Sequence, residues 1–455
     1  MKAELLTVRE HARLTTSEVA LTLDQAQISV SAFDWLCNLA AKLRGRSGAQ
    51  ILQVEDRRWL RLDNYVGVLE TPCGLRIEIL PKHVDADGVD FVRQSRKLLR
   101  RMLEVAFDLP PRTAEEAHLQ QFDHPLLEWV MHRFLQALEH IVKRGVRRDY
   151  VRVKEEQSYL RGQLDVVKQM RQPPGRAHLF NIRHDVFSLD RAENRILKAS
   201  LHRVVRQTRN PESWRLANEL LHLMDEVPPS RDVKLDFRAW RNDRLMAHYQ
   251  AAKPWCELVL GDQMPLALAG ETKGISLLFP MERLFESYVG YSLRNAVLSS
   301  YRMTANSSRH SLCEHEGTSF FRLKPDYLIE GPSFASVLDA KWKLIDGSAR
   351  SKNYEIAVSD IYQLFAYGHK YLNGSGDLAL IYPWTKSFSA SLPLFEFNGD
   401  MRLHVLPFDL EAGRILMSST TRAIFGLRAE ADSHITTPQM SADGSTSSLG
   451  ELVAW

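Results

Sequence analysis

The chain reads as an α+β, multi-domain protein, and three observations predict it. Short alternating runs between turn residues fill positions 1–88, apolar residues at helical spacing govern 89–270, and a helix–strand–strand–helix–strand order occupies 271–428. At 455 residues the chain exceeds what one ordinary hydrophobic core organises, so several domains are expected. With 44% hydrophobic and 25% charged residues, its composition is that of a globular protein.

Residues 4–8, 51–54, 59–62, 65–70 and 75–80 read as strands, with turns at Glu55-Asp56 and Thr71-Pro72-Cys73-Gly74. One helix, 31–43, interrupts this small β-rich module. From Val89 the period changes: Phe91, Leu98, Leu99, Met102 and Val105 make one apolar helix face. Leu126, Leu127, Val130, Phe134, Leu138 and Ile141 make another, with Pro125 marking its first turn. Residues 154–183 are less regular and are broken by Pro173-Pro174-Gly175. A helix starts near Asp190 on the stripe Ala192, Ile196, Leu197, Leu201 and Val204, and Leu216, Leu220, Leu223 and Met224 extend the theme to Pro228-Pro229. These runs predict a helical middle domain over 89–270. His202, His222 and His248 have no second ligand at workable spacing and read as core or surface histidines.

The chemistry is concentrated further on. Residues 324–330 (KPDYLIE) and 334–344 (FASVLDAKWKL) read as a β-hairpin turning at Gly331-Pro332-Ser333. Alternation puts Asp339 and Lys341 on one face and Ala340 on the other, and the facing strand brings Asp326 to the same place. Asp-x-Lys is common in ordinary surface hairpins, but Asp339 ends an apolar run, where an ionised carboxylate is costly without a metal or a partner. Hard oxygen donors with room for water suit Mg²⁺, with Mn²⁺ as an alternative, and Lys341 would hold or activate the attacking water. A helix over 281–293 carries Glu282 and Glu286 one turn apart, and Glu282 is equally explained as an acid at a helix N-terminus. A second helix, 359–371, puts Gln363 and Tyr367 on one face, and a strand, 378–382, follows. Residues 392–397 and 401–407 read as closing strands.

Over 281–383 this order, with these residues, resembles the PD-(D/E)xK nuclease core. The resemblance implies a metal held by Asp326, Asp339 and the Ala340 carbonyl with help from Glu286, aligned by Lys341, and Gln363 and Tyr367 beside the site. The runs 77–81 (IEILP), 161–165 (RGQLD), 189–201 (LDRAENRILKASL), 338–341 (LDAK) and 360–364 (DIYQL) are similar to McrC, the nuclease subunit of McrBC-type modification-dependent restriction systems. That likeness implies a DNA endonuclease subunit that associates with a McrB-like hexameric AAA+ GTPase or ATPase, stimulates its hydrolysis, and cuts modified or foreign DNA. Residues 1–88 would dock the partner, with an exposed hairpin as the binding element. The rival readings are a stand-alone PD-(D/E)xK repair or recombination nuclease and a non-catalytic regulator of an AAA+ ring.

No Gly-x-x-x-x-Gly-Lys-[Ser/Thr] run exists, so no nucleotide site of its own is expected. Cys37, Cys73, Cys256 and Cys313 are scattered, which argues against a zinc site or a disulfide framework. The net charge of +3 is only mildly basic, and positive charge clusters at 93–101 and 143–152. The first cluster reads as a solvated helix face; the second, with Tyr150 and Lys154, reads equally well as a phosphate-tracking surface. No apolar run approaches the roughly 20 residues of a membrane span, and residues 1–11 lack a secretory h-region, so a cytoplasmic protein without membrane contact is expected. Residues 429–455 are too poor in apolar side chains to bury a core and read as a disordered tail.

Overall fold

The alternating runs near the N-terminus become strands, and they enter two different sheets. A computed structural model describes residues 5–47, 50–83, 89–107, 124–241, 246–261, 276–332, 334–397 and 400–429. Its first elements are β1 (Leu5–Arg9), β2 (Arg13–Thr15), β3 (Gln25–Gln27), α1 (Val30–Ser47), β4 (Leu52–Val54), β5 (Trp59–Leu62), β6 (Tyr65–Glu70), β7 (Arg76–Leu80) and α2 (Val89–Ala106). One sheet has the order β3-β2-β5-β4. In the other, β6 and β7 form a hairpin through the predicted turn, where Thr71 N–H donates to Leu75 O at 2.9 Å, and β1 joins β7 in parallel. β2 and β3 were not anticipated, since three residues are too few to show a period. Of the two hairpins, β6–β7 has buried strands and is exposed at Pro72 and Cys73 of its turn, whereas β4–β5 is exposed from Gln53 through Arg58.

The basic run 93–101 is only in part a solvated face, with Arg93 and Lys97 exposed. On α2, Arg96 pairs with the fully buried Glu78 at 2.6 Å, Arg100 donates to His124 O, and Arg101 donates to Glu411 O and lies over the Tyr288 ring. These arginines hold the fold together.

The middle of the chain contains α3 (Leu126–Arg144), β8 (Asp149–Gln157), β9 (Gln163–Leu164), α4 (Val166–Met170), β10 (Phe180–Ser188), α5 (Ala192–Gln207), α6 (Pro211–Leu223), α7 (Val233–Ala239), α8 (Ala247–Gln250) and α9 (Lys253–Leu260). Its helices fall where the apolar stripes put them. The nine-residue strands β8 and β10, paired from Asp149↔Ser188 to Gln157↔Phe180, replace the expected all-helical character. β8 is charged on both faces and mostly exposed, so it has no apolar alternation to read. The second basic run is partly neutralised: Lys143 pairs with Glu139, Arg148 with Glu226, and Arg152 with Asp185. Tyr150 and Phe187 remain exposed, with ring centroids 5.0 Å apart.

In the runs that carried the McrC resemblance here, Gly162, Asp165 and Asn194 hold the local fold. At Gly162, with φ +68°, a Cβ would fall 2.5 Å from Arg183 O, so glycine is required. Asp165 caps α4 by accepting from Lys168 N–H and receives Arg183 Nε–H at 2.9 Å. Asn194 ties α5 to Arg147 O and Leu189 O, at 2.8 and 2.9 Å, and accepts the buried Tyr249 hydroxyl.

The rest comprises β11 (Leu277–Pro280), α10 (Met281–Ala296), β12 (Arg302–Ala305), β13 (His310–His315), β14 (Thr318–Leu323), β15 (Tyr327–Glu330), β16 (Ala335–Ala340), α11 (Val358–Tyr371), β17 (Ser375–Pro383), β18 (Phe395–Glu396), β19 (Asp400–Asp409), β20 (Arg414–Ile415) and α12 (Ser419–Ile424). The central sheet runs β12-β15-β16-β17-β19-β18, with β20 on β19. β15 and β16 are the antiparallel hairpin, and β16, β17 and β19 are parallel. Leu364 and Tyr367 of α11 pack with Val337, Leu378, Leu380, Leu403 and Val405 on one face. On α10, Phe285 and Tyr288 meet Phe408 at 5.7 and 5.4 Å. The parity of these strand residues puts the two helices on opposite faces.

Contacts divide the chain into residues 1–126 with 276–455, and residues 127–275. The expected boundaries at 88 and 270 therefore do not separate the N-terminal strands from the region 271–428, and the middle unit begins at 127. The cause is pairing remote in sequence: β11 completes the β1-β7-β6 sheet, from Leu277↔Val68 to Pro280↔Tyr65, and α2 packs on α10. At Gly67, with φ +131°, a Cβ would fall 1.9 Å from Leu277 O, so only glycine admits this strand. The expected tail lies, from 430 on, outside the described residues. No described helix is long and apolar enough to cross a membrane.

Candidate active site

β16 ends at Ala340, and the hairpin register explains what it presents. Tyr327 pairs with Leu338, so one further step sets Asp326 opposite Asp339. Lys341, just past the strand, returns to the Asp339 face and brings its ammonium to 2.5 Å from Asp339 Oδ2. Asp326 Oδ2 accepts the Ala340 N–H at 2.8 Å, fixing the strand end against the approach to β15. Asp326, Asp339 and Lys341 are thus brought together as their spacing predicts. Tyr327, pointing the other way, donates its hydroxyl to Glu286 O on α10.

Asp339 is 1% exposed; among the described residues its one ion pair is with the Lys341 ammonium, at Oδ2, and its Oδ1 accepts no hydrogen bond. Burial, reinforced by Asp339 and Glu286, pushes Asp326 well above the usual carboxylate range. Burial also raises Asp339, against the pull of Lys341. Glu286 is pushed from 4.5 to about 7, chiefly by burial, with Asp339 and Glu282 adding to it. Burial alone would lower Lys341, but Asp339, Asp326 and Asp360 outweigh it, so the amine is held protonated. One ammonium thus faces three crowded acids, Asp326, Asp339 and Glu286, and such an excess of buried negative charge favours a cation.

A divalent ion fits this donor set. Among the described residues no three His, Cys, Asp or Glu side chains are grouped closely enough to make a metal site alone. Asp326 and Asp339 would therefore need the Ala340 carbonyl and water to complete a shell, which suits Mg²⁺ better than a softer metal.

Gln363 and Tyr367 lie beside the site in a supporting arrangement. Gln363 Nε2–H donates to the Tyr367 hydroxyl at 2.7 Å, which donates to Lys324 O at 2.9 Å. One turn on, Tyr371 donates to Ser307 O and Leu323 O at 2.7 and 2.9 Å. The pair thus fixes the backbone entering Asp326. Sequence reasoning passed over three residues. Asp360, within the DIYQL run, accepts the Tyr382 hydroxyl at 3.1 Å and acts electrostatically on Asp339 and Lys341. Its position one turn before Gln363 was a usable signal. Glu10 and Trp342, hydrogen-bonded to each other, had none, being more than three hundred positions apart.

These shifts set a pH dependence. An acid whose pKa is raised by folding holds its proton more tightly when folded, so its contribution is complete below the unfolded value of 4.5 and is lost as pH rises through about 7. Without divalent metal, the thermal midpoint should fall between about pH 5.5 and about pH 8, and excess Mg²⁺ should flatten that slope. Calorimetry in chelator checks this; a midpoint rising over the window contradicts it.

The family described as the McrBC 5-methylcytosine restriction system component matches residues 60–383. The chain belongs to the McrBC family. This McrBC-family chain is also similar, at 20% identity and TM-score 0.68, to a chain in the refined half-complex from the tetradecameric assembly of Thermococcus gammatolerans McrB AAA+ hexamers with bound McrC; the match covers 93% of this chain and 99% of that one. A second match, to the cryo-EM structure of the Thermococcus gammatolerans McrBC complex, has 22% identity, TM-score 0.49, and covers 63% of this chain and 86% of that one. No curated protein sequence matches the chain.

Proposed function

We propose that this McrBC-family chain is a McrC-like, PD-(D/E)xK endonuclease subunit that joins a McrB-like AAA+ NTPase, stimulates its nucleotide hydrolysis and cleaves modified or foreign DNA with Mg²⁺. The observation that carries the proposal is the buried Asp339, set opposite Asp326 and paired with a protonated Lys341, with its Oδ1 left without a hydrogen bond. Asp326, Asp339 and the Ala340 carbonyl would hold the metal. A bound Mg²⁺ would supply Lewis-acid polarisation of the scissile phosphate and a lowered pKa for water. Lys341, fully charged, cannot accept a proton; it can donate a hydrogen bond to a phosphate oxygen or orient a water. Glu286, pushed up to about 7, is the acid able to exchange a proton near neutral pH.

Co-purification with a McrB-like partner, followed by incubation with methylated or unmodified DNA, Mg²⁺ and GTP or ATP, tests the reading. Cleavage that requires partner, nucleotide and Mg²⁺ supports it. Stimulated nucleotide hydrolysis without cleavage under any condition would instead favour the non-catalytic regulator.

Alone, the chain should bind DNA weakly and with little preference. Its net charge is only +3, and several cations of the basic runs are paired within the protein. The phosphate contacts that remain give affinity that falls as salt rises and read no sequence. Tight, salt-insensitive, methylation-selective binding by the isolated chain would place recognition in this subunit.

A further inference from the structure

We propose that Glu10, just beyond β1, is a positioning residue for the candidate nuclease site, holding through Trp342 the strand end that carries Asp339 and Lys341. The inference rests on the nuclease reading above and concerns a residue far from the motif.

Glu10 is 1% exposed. Its Oε1 accepts two N–H groups, from Lys82 of the backbone at 2.6 Å and from the Trp342 indole at 2.9 Å. Oε2 has no hydrogen-bond partner, and burial pushes the group from 4.5 to about 7. The chain reverses sharply beyond it: His11 has φ +64°, a left-handed conformation uncommon outside glycine, and Ala12 N–H closes the turn on Arg9 O at 3.1 Å. A buried acid on a strained turn is expensive unless its acceptor does something the local fold does not need.

Its partner's position indicates what that is. β16 ends at Ala340, and the next backbone bond to the sheet is Lys341 N–H to Ile381 O at 2.9 Å. Trp342 follows at once, its ring 5.3 Å from Phe285, the neighbour of Glu286 on α10. Glu10 therefore holds Trp342 from one side while Phe285 packs it from the other. Lys341 is left between two anchors, the sheet and the indole. Loosening the second lets the Lys341 ammonium leave Asp339 without unfolding the sheet, and displacements of that size carry large catalytic costs.

Four forms of the full chain, assayed with its motor partner, test this: Glu10→Ala, Glu10→Gln, Trp342→Phe, and Glu10→Ala with Trp342→Phe. Glu10→Ala should lower kcat about tenfold or more with KM for DNA changed less than about twofold. Glu10→Gln keeps the accepting oxygen and should restore kcat to within about threefold of wild type. Trp342→Phe keeps an aromatic ring beside Phe285, removes the donor together with one ring of the indole, and should match Glu10→Ala. The double variant should be no worse than the more severe single one. Hydrogen exchange of residues 340–343, without metal or DNA, should quicken in Trp342→Phe while β17 stays protected. Should Glu10→Ala fail to fold, Trp342→Phe decides. Wild-type cleavage and exchange in Trp342→Phe, additive effects, or a Glu10→Gln as impaired as Glu10→Ala would each overturn the proposal. A wild type that never cleaves defeats the nuclease reading, while the exchange of 340–343 still reports whether Glu10 holds the strand end.

Discussion

Asp339→Ala and Lys341→Ala should each reduce DNA cleavage, assayed with the motor partner, by at least about a hundredfold, the loss typical when one preorganised electrostatic group is removed from an active site. The two should part in stability. Asp339 is almost completely buried and acts on Asp326 and Glu286, so its removal relieves a crowded set of acids and should leave the metal-free midpoint unchanged or higher. Lys341 is the ammonium that compensates it, at 2.5 Å. Removing Lys341 leaves a buried carboxylate uncompensated, and its midpoint should fall. Cleavage time courses and thermal unfolding in chelator measure both. More than a few per cent residual cleavage by either variant contradicts the catalytic assignment, and a midpoint lowered by Asp339→Ala contradicts the electrostatic account.

Deleting residues 1–88 should abolish folding of the region 276–429 as well as any docking role. From local pattern alone the switch near Gly88 suggests a detachable module, whose loss would spare metal binding. The contacts argue otherwise. Removing β6 strips β11 of its ladder and exposes Leu277, Leu278 and Phe279, which are at most 3% exposed in the intact chain. Each such side chain contributes about 1.5–3 kcal/mol, against a stability of about 5–15 kcal/mol for a typical domain. The deletion also removes Asn64 O, which accepts the first N–H of α10 at 3.0 Å, and Glu10, which holds Trp342. Solubility, near-ultraviolet circular dichroism and denaturant unfolding of the truncated chain report the outcome. A cooperative transition with an unchanged midpoint would show the module to be independent.

What was legible locally was what repeats or alternates locally. The stripes of α2, α3, α5, α6, α10 and α11 are long enough to show a helical period, and β5, β6, β7, β15, β16 and β17 show apolar runs between turns. β2 and β3 were too short, and β8 too charged on both faces, to give a signal. Asp326, Asp339 and Lys341 were readable because hairpin register is a local property, and one turn fixes which residues face each other. Spacing put Gln363 and Tyr367 on one helix face, and the family resemblance alone put that face beside the site; what they hold, the carbonyl of Lys324, lies on another element.

The order of helices and strands around the hairpin, the two acids and the amine on its inner face, and the membership of the McrBC family thus follow from residues near one another in the chain. Which segments share a unit does not. β6 meets β11 across two hundred residues, Arg96, Arg100 and Arg101 of α2 turn to Glu78 and to backbone carbonyls, and Glu10 reaches the indole beside Lys341. Side-chain spacing records only the face an element buries; the partner that buries it is chosen by shape, hydrogen bonding and charge in three dimensions.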